Sequence, residues 1–235
     1  MNTLYTFGCS YTAPYSKSPE NTPPSELDFY DRYYNYRNQS FPATWPEILS
    51  SKLNLKLNNL GKQAEGVDYV FESFCKISHE IERGDYVIYE VPYIERFRII
   101  DNENEWVDAN SETDISYCPL NISEYIAVQR TSDKYQEEVL NKLKLIKSYS
   151  ESKGFKLYIW FADNCFHKLI DLNDSTYLLN KLLDENEEHT VFNPVFEKGG
   201  LRIFEETNNE VDDMHFGESA HKVLGELFYN HIIKN

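Results

Sequence analysis

The chain has 235 residues, 41% of them hydrophobic, and a formal net charge of −16 at neutral pH. That is enough apolar material for one buried core of ordinary size, and it excludes a wholly disordered chain. The acidity is spread along the sequence as a solvated surface and argues against nucleic acid or an anionic membrane as a partner, since phosphates need basic groups. No apolar run reaches the roughly 18 residues of a membrane span, and the first strand begins almost at Met1. A signal peptide is therefore not expected, and the expected location is cytoplasmic. Cys9, Cys75, Cys118 and Cys165 form no Cys-x-x-Cys pair. Reduced thiols are expected, with neither a metal nor a redox motif.

Leu4 to Phe7 is a short β-favouring run that ends on Gly8-Cys9-Ser10-Tyr11-Thr12. A strand that stops at a glycine presents the next side chains at the rim of a sheet, where ligands bind in open α/β folds. Ser10 reads either as a nucleophile on that rim or as a plain turn residue. Cys9 reads as packing, with a thiol nucleophile as the alternative. The stretch Ala13 to Pro42 holds Pro14, Pro19, Pro23, Pro24 and Pro42 and is expected to be an irregular insertion without a continuous helix. Its tyrosines, Tyr33 and Tyr34 among them, are either a wall of the site or a flap over the core.

Trp45 to Leu53 has helical spacing, Leu55 to Leu60 alternates as a strand, and Tyr69 to Glu82 reads as a helix. Tyr86 to Pro92 has the continuous apolar character of a buried parallel strand. Asp101 to Ser132 is a second polar insertion. Lys134 to Ser152 is an amphipathic helix closed by Gly154, and Phe155 to Phe161 is the next strand. Short helical pieces are expected over Leu169 to Leu183, with brief apolar runs at Val191-Phe192 and Leu201 to Phe204. The chain ends on a helix striped by Ala220, Val223, Leu224, Leu227, Phe228 and Ile232, on which His221 and His231 read as structural. Strands alternating with helices imply an α/β/α sandwich on a parallel, flavodoxin-like sheet, and no linker divides the chain into two domains.

Just before the closing helix stands Asp212-Asp213-Met214-His215-Phe216-Gly217. Together with Gly8-Cys9-Ser10 near the start, it resembles the SGNH hydrolase superfamily, also called GDSL-like esterases. The resemblance implies Ser10 as nucleophile, His215 as base and Asp212, three residues before the histidine, as its orienting carboxylate. Asn59-Leu60-Gly61-Lys62-Gln63-Ala64-Glu65-Gly66 is similar to the family's second block. It implies an oxyanion-binding backbone N–H near Ala64 or Gly66, beside that of Ser10. The third block departs from the pattern: Val91, Pro92 and Tyr93 stand where an asparagine donor is usual. Arg96 is either a substitute donor or a surface arginine paired with an acid. Tyr11, Tyr33, Tyr34 and Asp163 are the substrate-binding candidates, and His167 reads as a surface residue.

The expected activity is hydrolysis of an ester, with an acetyl or other acyl group on a carbohydrate as the substrate class and no metal or organic cofactor. The alternative is a binding module for a glycan or small ligand that keeps the fold and has lost turnover.

Overall fold

The computed structural model describes residues 2–16, 24–93, 97–100, 106–109, 132–162, 174, 176 and 193–234. At its centre lies β1 (Thr3–Phe7), flanked by β2 (Lys56–Asn59) and β3 (Tyr86–Val91), with β6 (Lys156–Phe161) beyond β3. The order is β2-β1-β3-β6 and every pairing is parallel. Two further strands among the described residues, β4 (Phe97–Ile100) and β5 (Trp106–Ala109), pair antiparallel as a separate two-stranded sheet; β5 falls within the second expected insertion and β4 just before it.

Side chains alternate across a strand, so each strand feeds two cores. Tyr5, Phe7, Val87, Tyr89, Leu157 and Ile159 face one side. There they meet Val70 and Phe74 of α3 (Val67–Ile77) and Val139, Leu143 and Ile146 of α4 (Asp133–Lys153). Leu4, Ile88, Tyr158 and Trp160 face the other side. Their partners are Trp45 and Leu49 of α2 (Trp45–Leu53) and Ala220, Leu224 and Phe228 of the closing helix, α7 (Glu218–Ile232). The result is the three-layer sandwich that the alternation of elements implies. Trp45 meets both Trp160 and Phe228 edge-on, at 6.2 and 4.9 Å between centroids. Burying side chains of this size stabilises the fold by about 1.5–3 kcal/mol each.

Helix ends follow local chemistry. Glu47 reaches back to the Thr44 N–H at 2.7 Å, closing the start of α2, and Asn54 ends that helix in the left-handed region. Gly154, at φ 81°, ends α4. Among the described residues no helix is long and apolar enough to cross a membrane.

The first insertion corrects the sequence reading. Pro24–Tyr36 is a continuous helix, α1. Proline at a first helical position has no N–H to lose and is already at a helical φ, and Pro42 falls beyond the end. Tyr30 and Tyr33, three apart, are 1% and 0% exposed and pack with Ile203 and Val211 in a third core. The Leu201 to Phe204 run holds a short helix, α6 (Ile203–Glu206), which α5 (Asn193–Glu197) precedes. The expected pieces at Leu169 to Leu183 and Val191-Phe192 lie outside the described residues, apart from the isolated positions 174 and 176.

Candidate active site

The site is built at the carboxyl end of β1. Thr12 and Ala13 both donate backbone N–H groups to the Cys9 carbonyl, at 3.0 and 2.9 Å, so the chain after Gly8 coils into one tight turn carrying Ser10. The Ser10 hydroxyl lies 3.9 Å from Cys9 Sγ. Both are buried, Cys9 at 0% and Ser10 at 6% exposed; the Cys9 thiol is engaged with Glu90, which makes it a packing residue and leaves Ser10 as the nucleophile candidate. Beneath the turn is the carboxylate of Glu90 on β3. It accepts hydrogen bonds from Cys9 N–H at 3.0 Å, Cys9 S–H at 2.8 Å and Thr12 O–H at 2.5 Å.

The β2–α3 loop closes over the same turn. Leu60 N–H donates to the Thr6 carbonyl at 2.8 Å and Lys62 N–H to the Gly8 carbonyl at 3.1 Å. Asn59 ties the two together: its Nδ2 donates to the Thr12 carbonyl at 2.9 Å and its Oδ1 accepts from Gly61 N–H at 3.0 Å. Ala64 follows with φ 61°, a left-handed conformation that costs a side-chain-bearing residue about 1–2 kcal/mol. Strain of that kind collects where backbone groups must point in one direction. Gly66 is the N-cap of α3.

At the other end of the chain the structure replaces one expected partner. Asp213, not Asp212, faces the imidazole: its Oδ1 lies 2.7 Å from His215 Nδ1 and also accepts His215 N–H at 2.9 Å. An aspartate two residues before a donor folds back onto it as an Asx turn, and Asp213 does so here. Asp212 is exposed. Burial raises the Asp213 pKa, and the hydrogen bonds and charge of His215 outweigh that, holding the carboxyl below the usual range. A carboxylate only accepts, so Nδ1 carries a proton, and in the neutral ring the lone pair is then on Nε2. Ile203 N–H donates to the His215 carbonyl at 2.9 Å and Phe204 N–H to that of Asp213 at 3.0 Å, clamping this loop to α6.

Tyr11, adjoining Ser10, joins the two ends. Its ring lies 5.6 Å from the His215 ring, 4.9 Å from Phe216 and 6.3 Å from Tyr93. The site loops are braced from behind by a relay. Trp45 N–H donates to His221 Nδ1 at 3.2 Å, so the His221 proton is on Nε2, 3.0 Å from the Tyr15 hydroxyl. Tyr15 in turn donates to the Phe216 carbonyl. Burial, then the nearby His215, pushes His221 down to about 3, and burial with the neighbouring Tyr33 pushes the Tyr15 hydroxyl well up. Both stay neutral, as the relay requires.

Of the other candidates, Tyr33 is corrected: it is buried, and its hydroxyl donates to Glu206 Oε1 at 3.0 Å, so it is a core residue and not a pocket wall. Tyr34 packs on Phe41 at 5.0 Å. Arg96, Asp163 and His167 lie outside the described residues. At the third-block position Pro92 is buried and offers no N–H donor. Residues that the sequence did not single out are Glu90, Thr12, Tyr15 and the bonded role of His221; Asp213 stood beside the expected partner as its alternative. For Asp213 a signal was present, in the two-residue spacing to His215.

A serine at the end of the central strand and an aspartate–histidine pair ahead of the last helix stand on one parallel three-layer sandwich. No family model and no curated protein matches the sequence. Among solved structures, the chain is similar to a protein described as lipolytic and of the G-D-S-L family from Desulfitobacterium hafniense DCB-2. The TM-score is 0.49 and the identity 11%, over 98% of this chain and 99% of that one. It is also similar to a protein described as an arylesterase from Agrobacterium tumefaciens str. C58, with a TM-score of 0.37 and 13% identity over 100% and 99%.

Gly8 permits the whole arrangement. A Cβ there would stand 2.1 Å from Glu90 Oε2 and 2.6 Å from Thr12 Oγ1. Gly8→Ala is expected to destabilise the fold by about 1–3 kcal/mol, the usual cost of overpacking, seen as a lower melting temperature. An unchanged melt would mean that the turn has room the structure does not show.

Proposed function

We propose that the chain is a serine esterase, on the strength of one observation: the short Asp213–His215 contact, 2.7 Å, on a loop whose imidazole packs against the residue next to Ser10. His215 Nε2 takes the proton of Ser10 as the hydroxyl attacks an ester carbonyl. Asp213 fixes the tautomer and stabilises the imidazolium that forms. The N–H groups of Ser10 and of the loop carrying Ala64 and Gly66 stabilise the oxyanion, and Arg96 adds a donor if it reaches the site. The protonated imidazole returns its proton to the departing alcohol, and water then releases the acyl group from Ser10 by the same route.

For the substrate we propose an acyl ester of a carbohydrate, with Tyr11 as a stacking surface beside the base. Asp163 is proposed as a further pocket residue. No cofactor enters the mechanism. A screen of acetylated sugars with acetate release as the readout tests the substrate class. Turnover of p-nitrophenyl acetate with none of the sugars would keep the esterase and discard the sugar. A second reading, a binding module without turnover, is favoured by Pro92 at the position of the usual asparagine donor. It predicts no release of p-nitrophenol at all.

A further inference from the structure

We propose that Glu90 is a positioning residue for the nucleophile, acting through the turn that carries Ser10; the proposal rests on the esterase reading above. The parallel register sets Phe7 opposite Tyr89, which puts Glu90 level with Gly8, the first residue past the end of β1. By alternation Glu90 shares the face of Ile88, toward the core built on Trp45 and Trp160, and it is 0% exposed. A carboxylate in such a place costs several kcal/mol of desolvation, and an apolar residue of similar size would serve packing better.

What the carboxylate touches accounts for its presence. Oε2 receives the N–H of Cys9 and the hydroxyl of Thr12, the residues on either side of Ser10-Tyr11, while Oε1 receives the Cys9 thiol. Both ends of the turn are therefore held by one rigid group on a central strand. Gly8 leaves the opening through which the carboxylate reaches them. The peptide linking Cys9 to Ser10 is fixed in direction by its neighbour's bonds. That direction sets both the Ser10 hydroxyl and the Ser10 N–H that meets the oxyanion. Misplacement of a reacting group by about 1 Å costs on the order of a hundredfold in rate.

The test is Glu90→Gln, which keeps the shape but puts an N–H₂ against one of these donors, measured with p-nitrophenyl acetate and with the labelling rate of a fluorophosphonate probe. Thermal melts establish that the variant is folded. The expected result is a kcat lower by about tenfold to a hundredfold at unchanged KM, with labelling slowed in proportion. A merely structural residue would lower the melt and leave kcat per folded molecule alone. A folded Glu90→Gln with wild-type kcat and labelling overturns the proposal. If that variant does not fold, Thr12→Val decides, since it removes one donor from the same carboxylate without leaving a hole. A loss of about threefold to tenfold in kcat at constant KM supports the proposal, and a wild-type kcat overturns it. Ser10→Ala is run beside both. Turnover that survives Ser10→Ala brings down the esterase reading and this proposal with it. Turnover lost in Ser10→Ala but kept in Glu90→Gln strikes the role of Glu90 alone.

Discussion

Asp213→Asn is expected to lower kcat on a simple ester by about a thousandfold to ten-thousandfold, and Asp212→Asn to leave it within about twofold. The two aspartates are adjacent in sequence and opposite in environment. Asp213 is 7% exposed and accepts both His215 N–H and Nδ1–H on one oxygen, whereas Asp212 is exposed. A carboxamide at 213 presents an N–H₂ to the ring, admits the wrong tautomer and carries no charge to stabilise the imidazolium. Steady-state kinetics at neutral pH, with melts to confirm folding, separate the two. The reverse order of losses would return the orienting role to Asp212.

Acid should weaken the fold through His221. The residue is neutral in the fold, with its pKa pushed down to about 3, and ordinary in the unfolded chain at about 6.5. Below pH 6.5 the unfolded chain takes up a proton that the fold refuses. Stability therefore falls as the pH drops toward 3, by up to about 1.4 kcal/mol per unit and about 3 kcal/mol by pH 4. Asp213 adds to the loss at the acid end, because its depressed pKa stabilises the fold only while it is ionised. Melting temperatures from pH 7 to 4 should slope steeply in the wild type and less steeply in His221→Gln, which is itself less stable at pH 7. Parallel slopes would show that His221 does not carry the effect. The same relay lies behind the site: protonating His221 Nδ1 breaks the bond from Trp45 N–H, while Nε2–H keeps its bond to Tyr15 behind Phe216.

The sheet was legible because its signals are local. Tyr86–Val91 and Lys156–Phe161 are continuous apolar runs since both faces of the sheet are covered, and α2 and α4 carry their own start and stop residues. The helix α1 was not, because a proline breaks a helix only in its interior, and Pro24 stands at the first position of α1. The family spacing points to Asp212, whereas the reach of a side chain to a backbone N–H two residues on brings Asp213 to the ring. Glu90 gives no local sign of its role: an acid in an apolar strand names no partner until the register sets it beside Gly8. Tyr15 and His221 are 206 residues apart and meet only in the fold.

The proposed mechanism rests on Ser10 as the nucleophile. Its most direct test is to treat the protein with a fluorophosphonate, digest it and locate the adduct by mass spectrometry. A single adduct on Ser10, absent from Ser10→Ala and slowed by Asp213→Asn, is the result predicted here. An adduct elsewhere, or none on a folded protein, would contradict it.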